Sequence, residues 1–188
     1  MRHRIFIAIN LPEEIKTALS NYQIKWPELP CRWVKKENLN ITLAFLGYLT
    51  DEELVEVINL TKKTALNFSP FTVLLNKICY APPNKIPPKM VWVLGEKSAP
   101  LLRLQKELVK EIQGSIKMLK NEDRDFTPHI TLGRIKAWQF RQIEPEERPQ
   151  IEEDINLQFR VTSIEVMESY LKRGGAEYEI LETCKFSK

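Results

Sequence analysis

Apolar and polar positions along the 188 residues keep two rhythms, a period of two and a period near 3.6, which predict strands and helices in alternation. Residues 4–10, Arg4-Ile5-Phe6-Ile7-Ala8-Ile9-Asn10, predict a first strand. Pro12 then opens a helix with Glu13 and Glu14 at the positive end of its dipole and an apolar stripe of Ile15, Ala18, Leu19 and Tyr22. Pro27 and Pro30 end it. Arg32-Trp33-Val34 is a short β-prone segment, residues 35–38 are a turn, and a strand is expected over 39–46. Thr50 and Glu53 have capping-box spacing and start a helix running to about Leu66, with Leu54, Val57, Ile58, Thr61 and Ala65 inward. Phe71 to Tyr80 is strand-like, and residues 81–88 hold four prolines and are expected as the joint between two halves. The run Met90 to Gly95 reads as a strand buried on both faces. Ser98 and Pro100 begin a helix striped by Leu101, Leu104, Leu108 and Ile112, followed by a charged turn over 120–125. Residues 140–156 are acidic and contain prolines, as a surface excursion or short helix does. Two last strands, 159–169 and 177–186, are joined through Lys172-Arg173-Gly174-Gly175, a hairpin signal. The short turns and terminal hairpin favour an α+β arrangement of antiparallel sheets over a doubly wound parallel sheet.

One stretch carries chemistry within this pattern. Phe126-Thr127-Pro128-His129-Ile130-Thr131-Leu132-Gly133-Arg134 places an imidazole and a hydroxyl on one strand face, with Ile130 and Leu132 on the other. Gly133 lets the backbone bend or approach something closely, and Arg134 brings a planar cation suited to an oxyanion. A second copy, Asn40-Ile41-Thr42-Leu43 with Gly47 beyond, lies nearly half a chain length upstream. Duplication would make the strands face each other across a pseudo-two-fold axis. Where the later copy has His129 the earlier has Asn40. A core-facing strand has no use for His and Thr on one side, since both need partners when buried; a cleft supplies water or ligand.

Composition narrows the setting. The chain is 43% hydrophobic and 28% charged, with a net charge of +3, values of a soluble globular protein and compatible with a phosphate-bearing ligand. One two-lobed domain over residues 1–188 is expected. No apolar run is long enough to span a membrane, and the basic, apolar opening is too short for a leader, so a cytoplasmic protein is expected. Three scattered cysteines, Cys31, Cys79 and Cys184, argue against a disulfide framework or zinc site. His3 reads as a solvated terminal residue, leaving His129 as the chemically placed one of two histidines.

The paired motifs resemble the H-x-T-x motifs of the two-histidine phosphoesterases. More narrowly, the chain is similar to the bacterial and archaeal RNA 2′,3′-cyclic phosphodiesterases, historically called 2′-5′ RNA ligases. That similarity also covers residues 4–12, 32–39, and the C-terminal Glu168-Ser169-Tyr170 through Tyr178-Glu179-Ile180-Leu181. It implies a bilobal fold of two pseudo-two-fold duplicated β-α-β units, with antiparallel sheets around a central cleft holding both motifs. It implies RNA ends or cyclic nucleotides as substrate, no cofactor and no metal, and a monomer. In such a site one histidine activates water while another protonates the departing ribose oxygen, and hydroxyls hold the phosphoryl oxygens. The resemblance makes His129 the base, Thr42 and Thr131 phosphate donors, and Arg134 a clamp on developing charge. Asn40 occupies the acid's place but has no proton to give at neutral pH, which costs ~10²–10⁴-fold in rate. An enzyme of weakened or altered activity, a binding protein that kept the pocket, and a histidine replaced to trap a ligand all fit that residue. Arg32, Trp33, Lys35, Lys36 and Lys136 are candidates for RNA contact, with packing between lobes the plainer role for Trp33. Lys172 and Arg173 read as hairpin surface.

Overall fold

A computed structural model describes residues 2–83, 85–116, 125–173 and 175–187. The chain runs β1 (His3–Asn10), α1 (Glu13–Gln23), β2 (Cys31–Trp33), a 3₁₀ turn (Lys36–Asn38), β3 (Asn40–Leu49), α2 (Asp51–Ala65), β4 (Phe71–Ala81), β5 (Met90–Gly95) and α3 (Ala99–Ser115). It continues with β6 (His129–Ile135), a short helix α4 (Ala137–Arg141), a 3₁₀ turn (Pro145–Glu147), β7 (Glu152–Val161), β8 (Ser163–Lys172) and β9 (Gly175–Lys185). The charged turn expected over 120–125 lies outside the described residues except for Asp125.

Two antiparallel sheets result, the first ordered β3-β1-β8-β9 and the second β2-β6-β5-β4-β7. The mixed architecture with antiparallel sheets is the one the sequence predicts. Ile5, Ile7 and Ile9 of β1 enter one continuous core with Val91 and Val93 of β5 and with the α3 stripe of Leu101, Leu104, Leu108 and Ile112. Helix α2 packs on the first sheet and α1 against β6 and β7 of the second. The α2 start is held by the predicted box: the Glu53 amide donates to Thr50 Oγ1 (3.3 Å) while the Thr50 amide donates to Glu53 Oε2 (2.8 Å). A cap of this kind is worth about 1 kcal/mol.

Four expectations are corrected. The proline-rich stretch 81–88 does not part the lobes; it connects β4 to its neighbour β5, with Ala81 opposite Met90. Prolines that cannot join a ladder suit such a link as well as they suit a domain joint. The chain passes between sheets elsewhere, as at Thr162, which separates β7 in the second sheet from β8 in the first. The strand expected over 159–169 is therefore two strands, and the acidic excursion ends where β7 begins at Glu152. In β7 the inward positions Ile155, Phe159 and Val161 do alternate with polar ones, but an edge strand wears its charges outward and so resembles a loop. Finally, β5 is buried on one face only: Val91 and Val93 are inside, while Met90, Trp92 and Leu94 are half-buried on the face toward the cleft.

Candidate active site

The motif strands β3 and β6 meet where the two sheets approach one another. Each carries a β-bulge at the leucine after its threonine. Opposite β1 the register passes from Thr42 to Ala44 and skips Leu43; opposite β5 it passes from Thr131 to Gly133 and skips Leu132. Both leucines are buried in the core. A bulge re-aims the side chains beyond it. Strict alternation from His129 would turn Arg134 to the far face; the extra residue returns it to the face of His129 and Thr131. The same shift in β3 brings Phe45 onto the face of Asn40 and Thr42, opposite Phe6. Gly133 lets β2 pack closely on this strand, because a Cβ there would lie 2.4 Å from Cys31 Sγ and 2.8 Å from Trp33 Cε3.

His129 and Asn40 are held alike, each by the carbonyl two residues earlier. His129 Nδ1 lies 2.7 Å from Thr127 O, and Asn40 Nδ2 donates to Asn38 O at 3.0 Å. A carbonyl only accepts, so Nδ1 of His129 carries the hydrogen and the neutral ring keeps its lone pair on Nε2. Burial holds the His129 pKa below 6.5, against a smaller opposing effect of the Thr127 bond, so the ring is neutral at pH 7. Trp92 adds to that burial, stacking on the imidazole with ring centroids 3.8 Å apart. Its own indole N–H is buried and meets no acceptor among the described residues. Asn40 reproduces the Nδ1 side of an imidazole and lacks the distal nitrogen. One amide hydrogen goes to Asn38, the amide oxygen accepts from Thr42 Oγ1 at 3.1 Å, and one amide hydrogen remains for a ligand.

Asn40, Thr42, His129, Thr131, Arg134 and Trp33 together line one cavity of about 150 Å³. Arg32 and Arg134 stand directly opposite each other on β2 and β6, and both face the cavity. Like charges opposed across a ladder are unfavourable unless an anion lies between them. Lys35 lines the cavity too, whereas Lys36 is paired with Glu13, Lys172 with Glu177, and neither these nor Arg173 and Lys136 reach the wall. Trp33 is half-buried, lying over Gly133 and stacked on Trp26 at 6.4 Å, so it packs at the core margin while its edge meets the cavity.

Sequence reasoning passed over Trp92, Phe45 and Tyr178, which shape the cleft; the first was hidden in an unbroken apolar run and the last lies far along the chain in β9. It also missed the polar anchor beneath the first motif. Asn38 is buried and donates from Nδ2 to Ala176 O (2.7 Å), pinning β9 beside the cleft, and Lys16 is buried with Nζ 3.1 Å from Glu37 O. Desolvation lowers the Lys16 pKa and raises that of buried Glu165, which accepts from Ser163 Oγ (2.7 Å) and from the Asn10 amide (3.0 Å). The reading of His3 as solvated is corrected: Nε2 lies 2.9 Å from Asp51 Oδ1 and Nδ1 3.0 Å from Glu168 Oε1, and these bonds, Asp51's first, raise its pKa. Its strand lies between β3 and β8, so even the first residue is flanked on both sides. The cysteines are free, and burial pushes the Cys31 and Cys184 thiols up to about 12. Among the described residues no cluster of His, Cys, Asp and Glu is arranged to hold a metal ion, and no helix is long and apolar enough to cross a membrane.

Comparison with known proteins meets the same two-fold pattern. The LigT like Phosphoesterase family matches the chain twice, over residues 9–92 and 95–178. An RNA 2′,3′-cyclic phosphodiesterase of Methanocaldococcus jannaschii is 30% identical over 181 residues, covering 95% of this chain and 98% of its relative. One from Thermus thermophilus is 32% identical, covering 98% of this chain and 89% of the relative. A crystal structure of a Thermus thermophilus protein superposes with a TM-score of 0.84 at 29% identity over 97% of both chains. That of E. coli LigT complexed with 3′-AMP gives 0.80 at 26% identity over 100% of both. With two matched halves, two bulged motif strands and one shared cavity between them, the chain belongs to the LigT-like phosphoesterases.

Proposed function

We propose that this chain opens terminal 2′,3′-cyclic phosphates of RNA to 2′-phosphates. The observation that carries the reading is the single tautomer of His129: with Nδ1–H given to Thr127 O, a neutral ring offers Nε2 as a base. Nε2 takes a proton from water, the water oxygen bonds to phosphorus, and the bond from phosphorus to the ribose O3′ breaks. Thr42 and Thr131 donate to the equatorial oxygens, and Arg134, with Arg32 opposite, offsets the charge that gathers on them. Thr42 must exchange its bond to Asn40 for one to phosphate. Asn40 stands on the leaving-group side. Its remaining amide hydrogen can be donated to O3′ without being transferred, so O3′ leaves as an alkoxide or draws its proton from water. That slows the reaction, and it slows equally the weak ligation in which an RNA 5′-hydroxyl replaces water, bonds to the phosphorus of the 2′,3′-cyclic phosphate and displaces O3′, leaving a 2′-5′ linkage. The relatives' activity supports the substrate class.

Asn40 also favours a second reading, an RNA-end or nucleotide binding protein that keeps the phosphate pocket without turnover. An RNA oligonucleotide ending in a 2′,3′-cyclic phosphate separates the two. The hydrolytic reading expects slow release of the 2′-phosphate product, falling ~10²–10⁴-fold or more with His129→Ala. Saturable binding with no product, in this chain and in Asn40→His alike, leaves the binding reading standing and removes the hydrolytic one.

A further inference from the structure

Among the described residues the first sheet carries its helix on one side only. Ile5, Ile7 and Ile9 point to the main core, while Phe6 and Ala8, with Met167 of β8, form a separate small cluster on the opposite face. Register places Phe45 beside Phe6, Tyr48 beside Arg4, and Ile180 beside Met167 on that same face. Tyr178 meets Phe6 edge-on at 4.8 Å. The face is open: Phe45 is 67% exposed and Tyr48 55% exposed. It is continuous with the phosphate cavity, because Phe45 and Tyr178 line both. Its charge is one-sided. Arg4 stands at the far end and Lys35, Arg32 and Arg134 at the near one, whereas Glu165, the carboxylate of this face among the described residues, is buried against Ser163 and Asn10.

We propose that this face is a track for unpaired RNA leading up to the terminal phosphate. Bases stack on Phe45, Tyr178 and Tyr48, and Arg4 holds a backbone phosphate at the distal end. Thr42 and Tyr48 lie opposite Ala8 and Arg4, four residues apart on β1, a span of roughly 13 Å at ~3.3 Å per residue. An open four-stranded sheet with aromatic side chains on neighbouring strands is a geometry on which proteins stack two or three RNA bases. Apolar peptides and a second copy of the chain also seek aromatic faces, but neither accounts for cations at both ends and, among the described residues, the lack of an exposed carboxylate between them. The inference rests on the proposed function in one respect: the cavity holds the terminal phosphate of an RNA.

The test is equilibrium binding of single-stranded RNA of one, three and five nucleotides ending in a 2′-phosphate, to the full chain at one fixed salt concentration. The trinucleotide is expected to bind at least ~10-fold more tightly than the mononucleotide, given the strength of base stacking on aromatic side chains. Tyr48→Ala and Arg4→Ala should each bring the trinucleotide down toward the mononucleotide. Trp138→Ala, a control at a 70% exposed ring on α4, should leave the difference in place. Equal binding of one and three nucleotides overturns the track while leaving the cavity reading intact. So does a length effect that survives Tyr48→Ala, or self-association of the free chain that Tyr48→Ala abolishes. If no length binds, both the track and the cavity reading fail.

Discussion

The strands β3 and β6 are one design used twice with different chemistry. Both hang a polar side chain from the carbonyl two residues earlier, follow it with a threonine, and bulge at the next leucine. Position by position they then part: Asn40 against His129, Ala44 against Gly133, and Phe45 against Arg134. The neighbours opposite the two threonines differ likewise, Ala8 facing Thr42 and Trp92 facing Thr131. The second strand therefore carries an imidazole and a cation, and its neighbour β5 lays a ring against the imidazole. The first carries an amide and an exposed phenyl ring. What the duplication preserves is backbone geometry, since the bulge decides where side chains aim, and what it leaves free is the chemistry mounted on that geometry.

Restoring likeness at the first position should have the largest effect. Asn40→His is expected to raise kcat/KM on a 2′,3′-cyclic nucleotide by ~10²–10⁴-fold, the contribution of a positioned acid, and to add a falling limb to the pH profile at higher pH. A diester with a nitrophenolate leaving group departs without a proton, so the same variant should change its hydrolysis by only a few-fold. An equal gain on both substrates would place residue 40 away from the leaving group. Next in size is Gly133→Ala, which copies the residue of the first strand into the second. Its Cβ would need room taken by Cys31 and Trp33, and overpacking of this kind costs about 1–3 kcal/mol, read as a lower denaturant midpoint. A wild-type midpoint would mean that β2 gives way freely.

Trp92→Ala brings the neighbour of Thr131 to the alanine found beside Thr42. Burial keeps the His129 pKa below 6.5, so opening one face of the ring to water lets it rise toward that value. The base is then protonated at higher pH than before, and the acid limb of kcat/KM should move up while the plateau changes less. Trp92→Phe, which retains a stacking ring, should hold the limb near its original place. An unmoved limb in Trp92→Ala would assign the burial of His129 to its other neighbours.

The elements most legible in the sequence were those fixed by local signals. The capping box at Thr50, the α3 stripe and the alternation through His129 and Thr131 each depend on residues within a few positions of one another. The residues gathered at the site were legible for a related reason, because the two motifs announce themselves as a pair. Partnership across long separations was not. Nothing local to Met90–Gly95 tells that strand to lay Trp92 against a histidine, or splits 159–169 between two sheets at Thr162. Arg134 shows the same limit within a single strand: simple alternation aims it away from the cleft, and only the bulge at Leu132 brings it back.

The two histidines allow the smallest prediction, one on stability. They are shifted in opposite senses, His129 down by burial and His3 up by its bonds to Asp51 and Glu168. For His3 the folded state holds the proton more tightly than the unfolded chain does, so its contribution is fully present below pH 6.5 and is lost as pH rises through the raised folded value. For His129 the folded state holds it less tightly, so stability declines as pH falls from 6.5 through the lowered folded value. The two slopes oppose each other in the wild-type chain. His3→Gln removes one of them. Denaturant titrations of both proteins should then show the variant losing more stability at pH 5.5 than at pH 8.5, its curve rising more steeply with pH over that interval. A loss of equal size at both pH values would mean that His3 serves as a neutral hydrogen-bonding spacer between β8 and α2, with no charge stored in the bridge.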